Sequence, residues 1–97
     1  MPDLIAQCPT CGGTLEVERM RCPSCQITLE GHFALGTLER LTPAERQFVV
    51  EFVTASGSLK EMARRLGVSY PTVRNRLDDL IFRLNTLEKE KNHEHPE

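Results

Sequence analysis

Aromatic residues are scarce in this chain of 97 residues, and long apolar runs are missing from it. The sequence has four Phe, one Tyr and no Trp, and residues 1–31 contain no aromatic residue. A membrane-spanning helix needs about 18 or more consecutive apolar residues, and no such run is present. No signal peptide is recognisable either, so the sequence predicts a soluble, cytoplasmic protein without a membrane partner.

The chain also lacks a surplus of positive charge. Its net charge at pH 7 is −2, which by itself does not indicate a nucleic-acid partner. The charge is uneven, however. Residues 1–31 carry two basic and four acidic side chains, whereas residues 42–87 carry seven basic and five acidic ones. Any contact with DNA is therefore expected in the second half of the chain, with a modest affinity that falls as salt rises.

The four cysteines form two C-x₂-C pairs separated by ten residues. Cys8 and Cys11 make the first pair, and Cys22 and Cys25 make the second. Each pair presents two thiolates to one ion, and two pairs complete a tetrahedron of sulfur. Because all four positions are filled by cysteine, we expect one structural Zn²⁺ and no enzyme active site. Metal binding would also supply the folding free energy that so few apolar residues cannot.

Cysteines in this arrangement have three other possible uses. Two disulfides would suit a secreted protein, but the sequence has no signal peptide. A redox dithiol needs one C-x₂-C pair rather than two. An iron site of the rubredoxin type usually lies in an aromatic-rich core, so the lack of aromatic residues in residues 1–31 favours zinc over iron.

The residues around the second pair predict a β-hairpin. Leu15 and Val17 alternate with glutamates, and Ile27 and Leu29 alternate with polar residues in the next strand. With its paired cysteines, the segment resembles a zinc ribbon with rubredoxin-like knuckles, which we place at residues 1–31. Residues 32–41 are too apolar for a free tether, so we expect a connector packed on the ribbon or on the following helices.

Residues 42–88 predict a domain of three helices. The segment 42–45 combines a Thr N-cap, Pro at the first helical position and Glu at the third, so the first helix begins there and ends near Ala55. The polar residues 89–97 predict a disordered tail. The apolar residues expected to face inwards are, helix by helix, Phe48, Val49, Phe52 and Val53; Leu59, Met62, Ala63 and Leu66; and Val73, Leu77, Leu80, Ile81 and Leu84.

A tight turn joins the second and third helices. Ser58 and Glu61 have the spacing of a capping box, Gly67 ends the second helix, and Ser69 caps the third. Ala63 is small enough to let the two helices cross closely. This is the layout of a DNA-binding helix-turn-helix, although an ordinary pair of antiparallel helices has the same outline.

The motif resembles the helix-turn-helix of LuxR-type response regulators and of the fourth region of sigma factors. The matching residues are Ala63, Arg64, Arg65, Leu66, Gly67, Val68, Ser69, Thr72, Val73, Asn75 and Leu77. The resemblance implies that the segment 70–84 is a recognition helix, the helix that enters the major groove of double-stranded DNA in such proteins.

Side chains on the outer side of this helix are the candidates for DNA contact. Arg74 can pair with guanine and Asn75 with adenine, and Arg76 lies on the opposite flank of Asn75. The other candidates, for contacts with phosphate, are Ser69, Tyr70 and Thr72 at the helix start and Lys60, Arg64 and Arg65 on the second helix.

The far end of the third helix carries a second pattern. Leu84 and Leu87 continue a heptad spacing beyond the expected core, and Phe82 lies on the opposite side. One interpretation is that these three residues form a homodimer contact. The alternative is that they cover the apolar residues Phe33 and Leu35 of the connector.

Taken whole, the sequence predicts a small α+β protein, with a zinc ribbon followed by an all-α helix-turn-helix domain. The ribbon, the TPAE helix start and the SYPTVRNRL stretch resemble an uncharacterised prokaryotic family of small proteins with this domain pair. The resemblance implies a DNA-binding transcriptional regulator. The alternatives are a protein-interaction adaptor that binds a sigma factor or RNA polymerase, and an iron electron carrier.

Overall fold

In the computed structural model, residues 4–94 are described, the side chains of residues 91–94 excepted. The chain folds into two compact units that divide between Thr42 and Pro43. A β-hairpin followed by helices confirms the predicted small α+β fold. The elements in chain order are β1 (Val17–Arg21), β2 (Thr28–Phe33), a short 3₁₀ helix (Leu38–Arg40), α1 (Pro43–Thr54), α2 (Leu59–Leu66) and α3 (Tyr70–Glu94).

The first unit is built on the antiparallel pair β1–β2. Met20 lies opposite Leu29 and Arg19 opposite Glu30, with an irregularity in the register between Val17 and Arg19. The opposed charges of Arg19 and Glu30 form an ion pair of 3.4 Å. The hairpin buries little, because Met20 and Leu29 are both exposed.

The predicted connector begins later than the sequence indicated. Strand β2 continues through Phe33, two residues past the predicted end of the ribbon at residue 31. Arg40 Nη2 donates to Thr14 Oγ1 at 3.2 Å, so the end of the connector is bonded to the ribbon. The apolar residues of the predicted segment 32–41 differ in exposure. Leu41 is buried, whereas Phe33 and Leu38 are exposed.

The helical unit starts and turns as its local chemistry predicts. Helix α1 begins with Pro43 at its first position and runs to Thr54, one residue before the predicted end. Ser58 caps α2 by accepting from the Glu61 N–H, but the reciprocal half of the capping box is absent. The Ser58 N–H instead donates to Ala55 O at 3.0 Å, and the Glu61 carboxylate turns towards arginines.

A small core joins the three helices. Ala55, Leu59, Met62 and Val73 are buried together, with half-buried side chains around them. Those surrounding residues are Phe48, Phe52, Ala63, Val68 and Leu77. Three residues predicted to face inwards are exposed instead: Val53 at 67%, Ile81 at 44% and Leu66 at 37%. Helical spacing places Val53 and Ile81 at the edges of broad apolar stripes, and a three-helix unit has too few neighbours to cover those edges. Leu66 lies near the middle of its stripe but is the last residue of α2.

Helix α3 is longer than its predicted recognition segment. It has 25 residues and ends at Glu94, which is six residues into the segment predicted to be a disordered tail. The remainder of that tail, residues 95–97, lies outside the described residues. Within residues 4–94, no helix has the combination of length and apolar character that crossing a membrane requires.

Candidate metal centre and nucleic-acid interface

Each cysteine pair lies in its own backbone knuckle, and the two knuckles have the same hydrogen bonds. The Cys8 carbonyl accepts from the Gly12 N–H at 2.8 Å, and the Cys22 carbonyl accepts from the Gln26 N–H at 2.8 Å. The N–H of Cys8 donates to the carbonyl of Gly13, and the N–H of Cys22 donates to the carbonyl of Ile27, five positions on in each case. The shared geometry accounts for the two residues between the cysteines of each pair, because each knuckle carries both cysteines on one short loop.

Gln26 occupies the position that Gly12 has in the first knuckle. Both residues adopt positive φ, 76° for Gly12 and 68° for Gln26, a region that favours glycine. The Gln26 side chain offsets this cost locally, since its Nε2 donates to Pro23 O at 3.0 Å and its Oε1 accepts from Arg21. The second knuckle therefore forms without glycine.

The knuckles favour the thiolate form of their first cysteines. Hydrogen bonding from the backbone of Cys11, and then of Thr10, lowers the pKa of Cys8 below its ordinary value. Hydrogen bonding from the backbone of Cys25 and Ser24 lowers the pKa of Cys22 in the same way. The thiolate is the form of cysteine that binds metal.

The donor set fits zinc, and the two pairs remain separate in this structure. All four cysteines are free thiols in this structure. Among residues 4–94, no three or more Cys, His, Asp or Glu side chains lie close enough together to hold one ion. The four-cysteine site stays a prediction.

The turn between α2 and α3 has helix-turn-helix geometry. Gly67 ends α2 in the left-handed conformation, with φ of 69° and ψ of 32°, as predicted. The Val68 N–H donates back to Ala63 O at 3.1 Å, and Val68 packs on the core. Ser69 Oγ accepts from the Thr72 N–H at 3.3 Å, which caps the start of α3.

The side chains predicted to read bases lie on the exposed side of α3. Asn75 is exposed and forms no side-chain hydrogen bond within the described part of the chain. Arg74 is ion-paired with Asp78, at 3.2 Å between Nη2 and Oδ1. Arg76 forms no ion pair with any described residue, and it lines a shallow cleft of about 270 Å³ together with Ala44, Glu45, Phe48, Asp79 and Leu80.

The phosphate candidates fall into a free group and a paired group. Lys60 is exposed and Tyr70 is 52% exposed, both without a partner among residues 4–94, whereas Ser69 and Thr72 share a 2.8 Å hydrogen bond. Arg64 is bonded to Glu61. These groups leave Lys60 and Arg76 as the cations most open to phosphate.

Arg65 is exposed but is bonded to other residues of the helical unit. Its guanidinium donates to Glu61 Oε1 and to Thr54 Oγ1, both at 3.1 Å, and lies 3.8 Å from Glu51. It therefore ties α2 to α1. The sequence analysis missed this role because two of the partners, Glu51 and Thr54, are on another helix. The spacing of four residues from Glu61 to Arg65 is the only sequence signal for the third partner.

Family models match both parts of the chain. Residues 8–39 match the DUF2089 zinc ribbon, and residues 41–87 match the helix-turn-helix part of the domain of unknown function DUF2089. The chain belongs to the DUF2089 family. The predicted resemblance to a zinc-ribbon plus helix-turn-helix family is thereby confirmed, and DUF2089 membership together with two close cysteine pairs fits zinc binding. We found no match to a curated protein or to a solved structure.

The candidate dimer residues of this DUF2089 chain differ in exposure. Phe82 is 74% exposed, on the same outer side of α3 as Asn75. Leu84 is half-buried, and Leu87 is buried at 3% exposure. Phe82 alone of the three therefore offers a largely free side chain to a second molecule.

Proposed function

We propose that this DUF2089 protein is a DNA-binding transcriptional regulator rather than an enzyme. The observation that carries the proposal is the capped start of α3 behind a left-handed Gly67, with Asn75 and two arginines on its exposed side. A helix presented in this way can enter the major groove with its first turns against the base edges. Such a regulator would act on the chromosome, in the cytoplasm of a prokaryotic cell.

The reading segment is short. Tyr70 to Arg76 supplies polar and basic side chains, and Asp78 and Asp79 follow on the same exposed side. Carboxylates repel the phosphates that flank the groove, so α3 meets DNA through about its first two turns. In this arrangement Arg74 and Asn75 contact bases, while Arg76, Lys60 and the hydroxyls of Ser69 and Thr72 contact the backbone.

We further propose that one structural Zn²⁺ is held by Cys8, Cys11, Cys22 and Cys25. The lowered pKa values of Cys8 and Cys22 support it, since both knuckles favour the ligating form. A metal-to-protein ratio of one in native mass spectrometry, with a colourless sample, is the expected result. A sample coloured in its oxidised state would indicate iron instead.

The test of DNA binding is selection of bound fragments from random duplex DNA at about 0.15 M salt. The zinc-loaded full chain should enrich one motif, and Arg74→Ala should lose the preference at one base pair. Arg76→Ala is the matched comparison, because removing a phosphate contact weakens all sequences about equally. No enriched motif from a folded, metal-loaded chain would contradict the proposal.

A protein-binding adaptor is the second candidate, and exposed apolar side chains favour it. Val50 and Val53 lie one turn apart on α1 and are both more than half exposed, and Phe82 is exposed on α3. A partner from the transcription machinery, such as a sigma factor, could cover these residues without DNA. The double variant Val50→Ala, Val53→Ala should abolish an adaptor function and leave DNA selection unchanged.

A homodimer is the form of the regulator that two-fold operators would require. Phe82 is the residue we assign to this contact. A palindromic selected motif would support two copies, and Phe82→Ala should then lower the apparent mass in solution and weaken binding to the full site. A motif without symmetry, read by a monomer, would contradict the dimer and leave the regulator intact.

A further inference from the structure

The two arginines that flank Asn75 have matching acidic neighbours but different pairing. At about 100° per residue, Asp78 lies on the Arg74 side of Asn75 and Asp79 on the Arg76 side. Arg74 is bonded to Asp78 at 3.2 Å, whereas Arg76 and Asp79 form no ion pair within residues 4–94. One flank is therefore held by an ion pair and the other is free.

The Asp78 contact determines where the Arg74 guanidinium points. Asp78 lies about 40° closer to the line of Asn75 than Arg74 does, so the pair draws the guanidinium towards the reading side of α3. A guanidinium has five N–H donors, and the contact through Nη2 leaves others for the O6 and N7 of guanine. In this structure the contact therefore directs the planar group of Arg74 towards the reading side of α3.

We propose that Asp78 is a positioning residue that sets base specificity by holding Arg74. The inference rests on the proposed DNA-binding function. The side chains of Arg74 and Asp78 are 53% and 54% exposed, so their pair contributes little to stability in water. When DNA displaces that water, the lower local dielectric strengthens the pair. The carboxylate also repels phosphate, so Asp78 lowers affinity for all DNA while raising discrimination.

Asp79 provides a matched control on the neighbouring position. Asp78→Asn and Asp79→Asn remove the same charge from adjacent exposed positions of one helix, and only the first breaks a bond to Arg74. The experiment measures binding of the zinc-loaded full chain to the selected site, to each single base-pair variant of it and to unrelated duplex. Circular dichroism confirms that each variant is folded.

We expect Asp79→Asn to tighten binding to every duplex by the same factor. Asp78→Asn should tighten binding to unrelated duplex but lose roughly tenfold discrimination at the one base pair that Arg74→Ala also affects. In an Arg74→Ala background, Asp78→Asn should change no base preference further. A purely structural role for Asp78 would not produce this base-specific effect.

Two outcomes overturn the inference in distinguishable ways. In the first, the unmodified chain selects a motif, and the two Asn variants change binding to the selected site, its base-pair variants and unrelated duplex by the same factors. Asp78 then does not position Arg74, and the proposed DNA-binding function is kept. If the unmodified chain binds all sequences equally, the proposed function fails and the inference fails with it.

Discussion

The ribbon leaves most of its large aliphatic side chains exposed, whereas the helical unit gathers some of its own into a small buried core. Met20, Ile27 and Leu29 are each at least 43% exposed in the ribbon, while Met62 and Val73 of the helical unit are fully buried. Both units belong to one short chain of average apolar content. The difference indicates that apolar burial stabilises the helices and that the ribbon needs another source of folding free energy.

The polar interactions of the two units differ in the same direction. In the ribbon, the backbone hydrogen bonds outside the β1–β2 pair shape the two knuckles that carry the cysteine pairs. In the helical unit, Arg65 joins α2 to α1, and Arg83 on α3 pairs with Glu45 on α1 at 3.5 Å. A ligand shared by both knuckles would do for the ribbon what core packing and these ion pairs do for the helices.

Chelation of the proposed Zn²⁺ should produce the largest difference in stability between the two units. Structural zinc contributes on the order of 10 kcal/mol to the folding of small domains, so a chelator should unfold the ribbon and leave α1, α2 and α3 folded. Residue-resolved NMR of the full chain is the measurement. Cys22→Ser should have the same effect without chelator, and retention of the β1–β2 shifts in either sample would contradict the prediction.

A core truncation should damage the other unit. Met62 is fully buried among Ala55, Leu59 and Val73, so Met62→Ala should lower the free energy of unfolding of the helical unit by about 2–5 kcal/mol. The helical signal in urea denaturation measures this loss. Val53→Ala is the matched control, because Val53 is 67% exposed and its truncation should change stability by no more than about 0.5 kcal/mol. Equal effects would show that the core is elsewhere.

The features predicted well from sequence are those that depend on neighbouring residues in the chain. Pro43 starts α1, Gly67 ends α2 and Ser69 caps α3, each through backbone chemistry within one turn. The two knuckles follow from C-x₂-C spacing for the same reason. Gln26 shows the limit of such rules, because its side-chain bonds to Pro23 and Arg21 replace the glycine that the first knuckle uses.

The features predicted poorly depend on which elements pack together. Val53 and Ile81 have the spacing of buried residues, yet exposure depends on whether another helix covers that edge. Arg65 looks like a phosphate contact in sequence, and only the position of Glu51 and Thr54 on α1 shows its structural role.

The smallest expected effect concerns the charges that brace α2. Hydrogen bonds from Arg64, and then from Arg65, lower the pKa of Glu61 from its ordinary 4.5 to about 2. A carboxyl group with a lowered folded-state pKa stabilises the fold above its unfolded pKa, and this contribution is lost as pH falls through the folded value. The helical unit should therefore lose stability between about pH 4.5 and about pH 2.

Comparison with Glu61→Gln isolates this contribution from the other carboxylates of the unit. The variant should be less stable than the unmodified chain at pH 7, and the difference in urea midpoint should shrink towards zero near pH 2. Arg64 is 72% exposed, so added salt should reduce the difference at pH 7 as well. These bonds of Glu61 to Arg64 and Arg65 lie within α2. A difference that stayed constant across this range would mean that Glu61 acts through packing rather than charge.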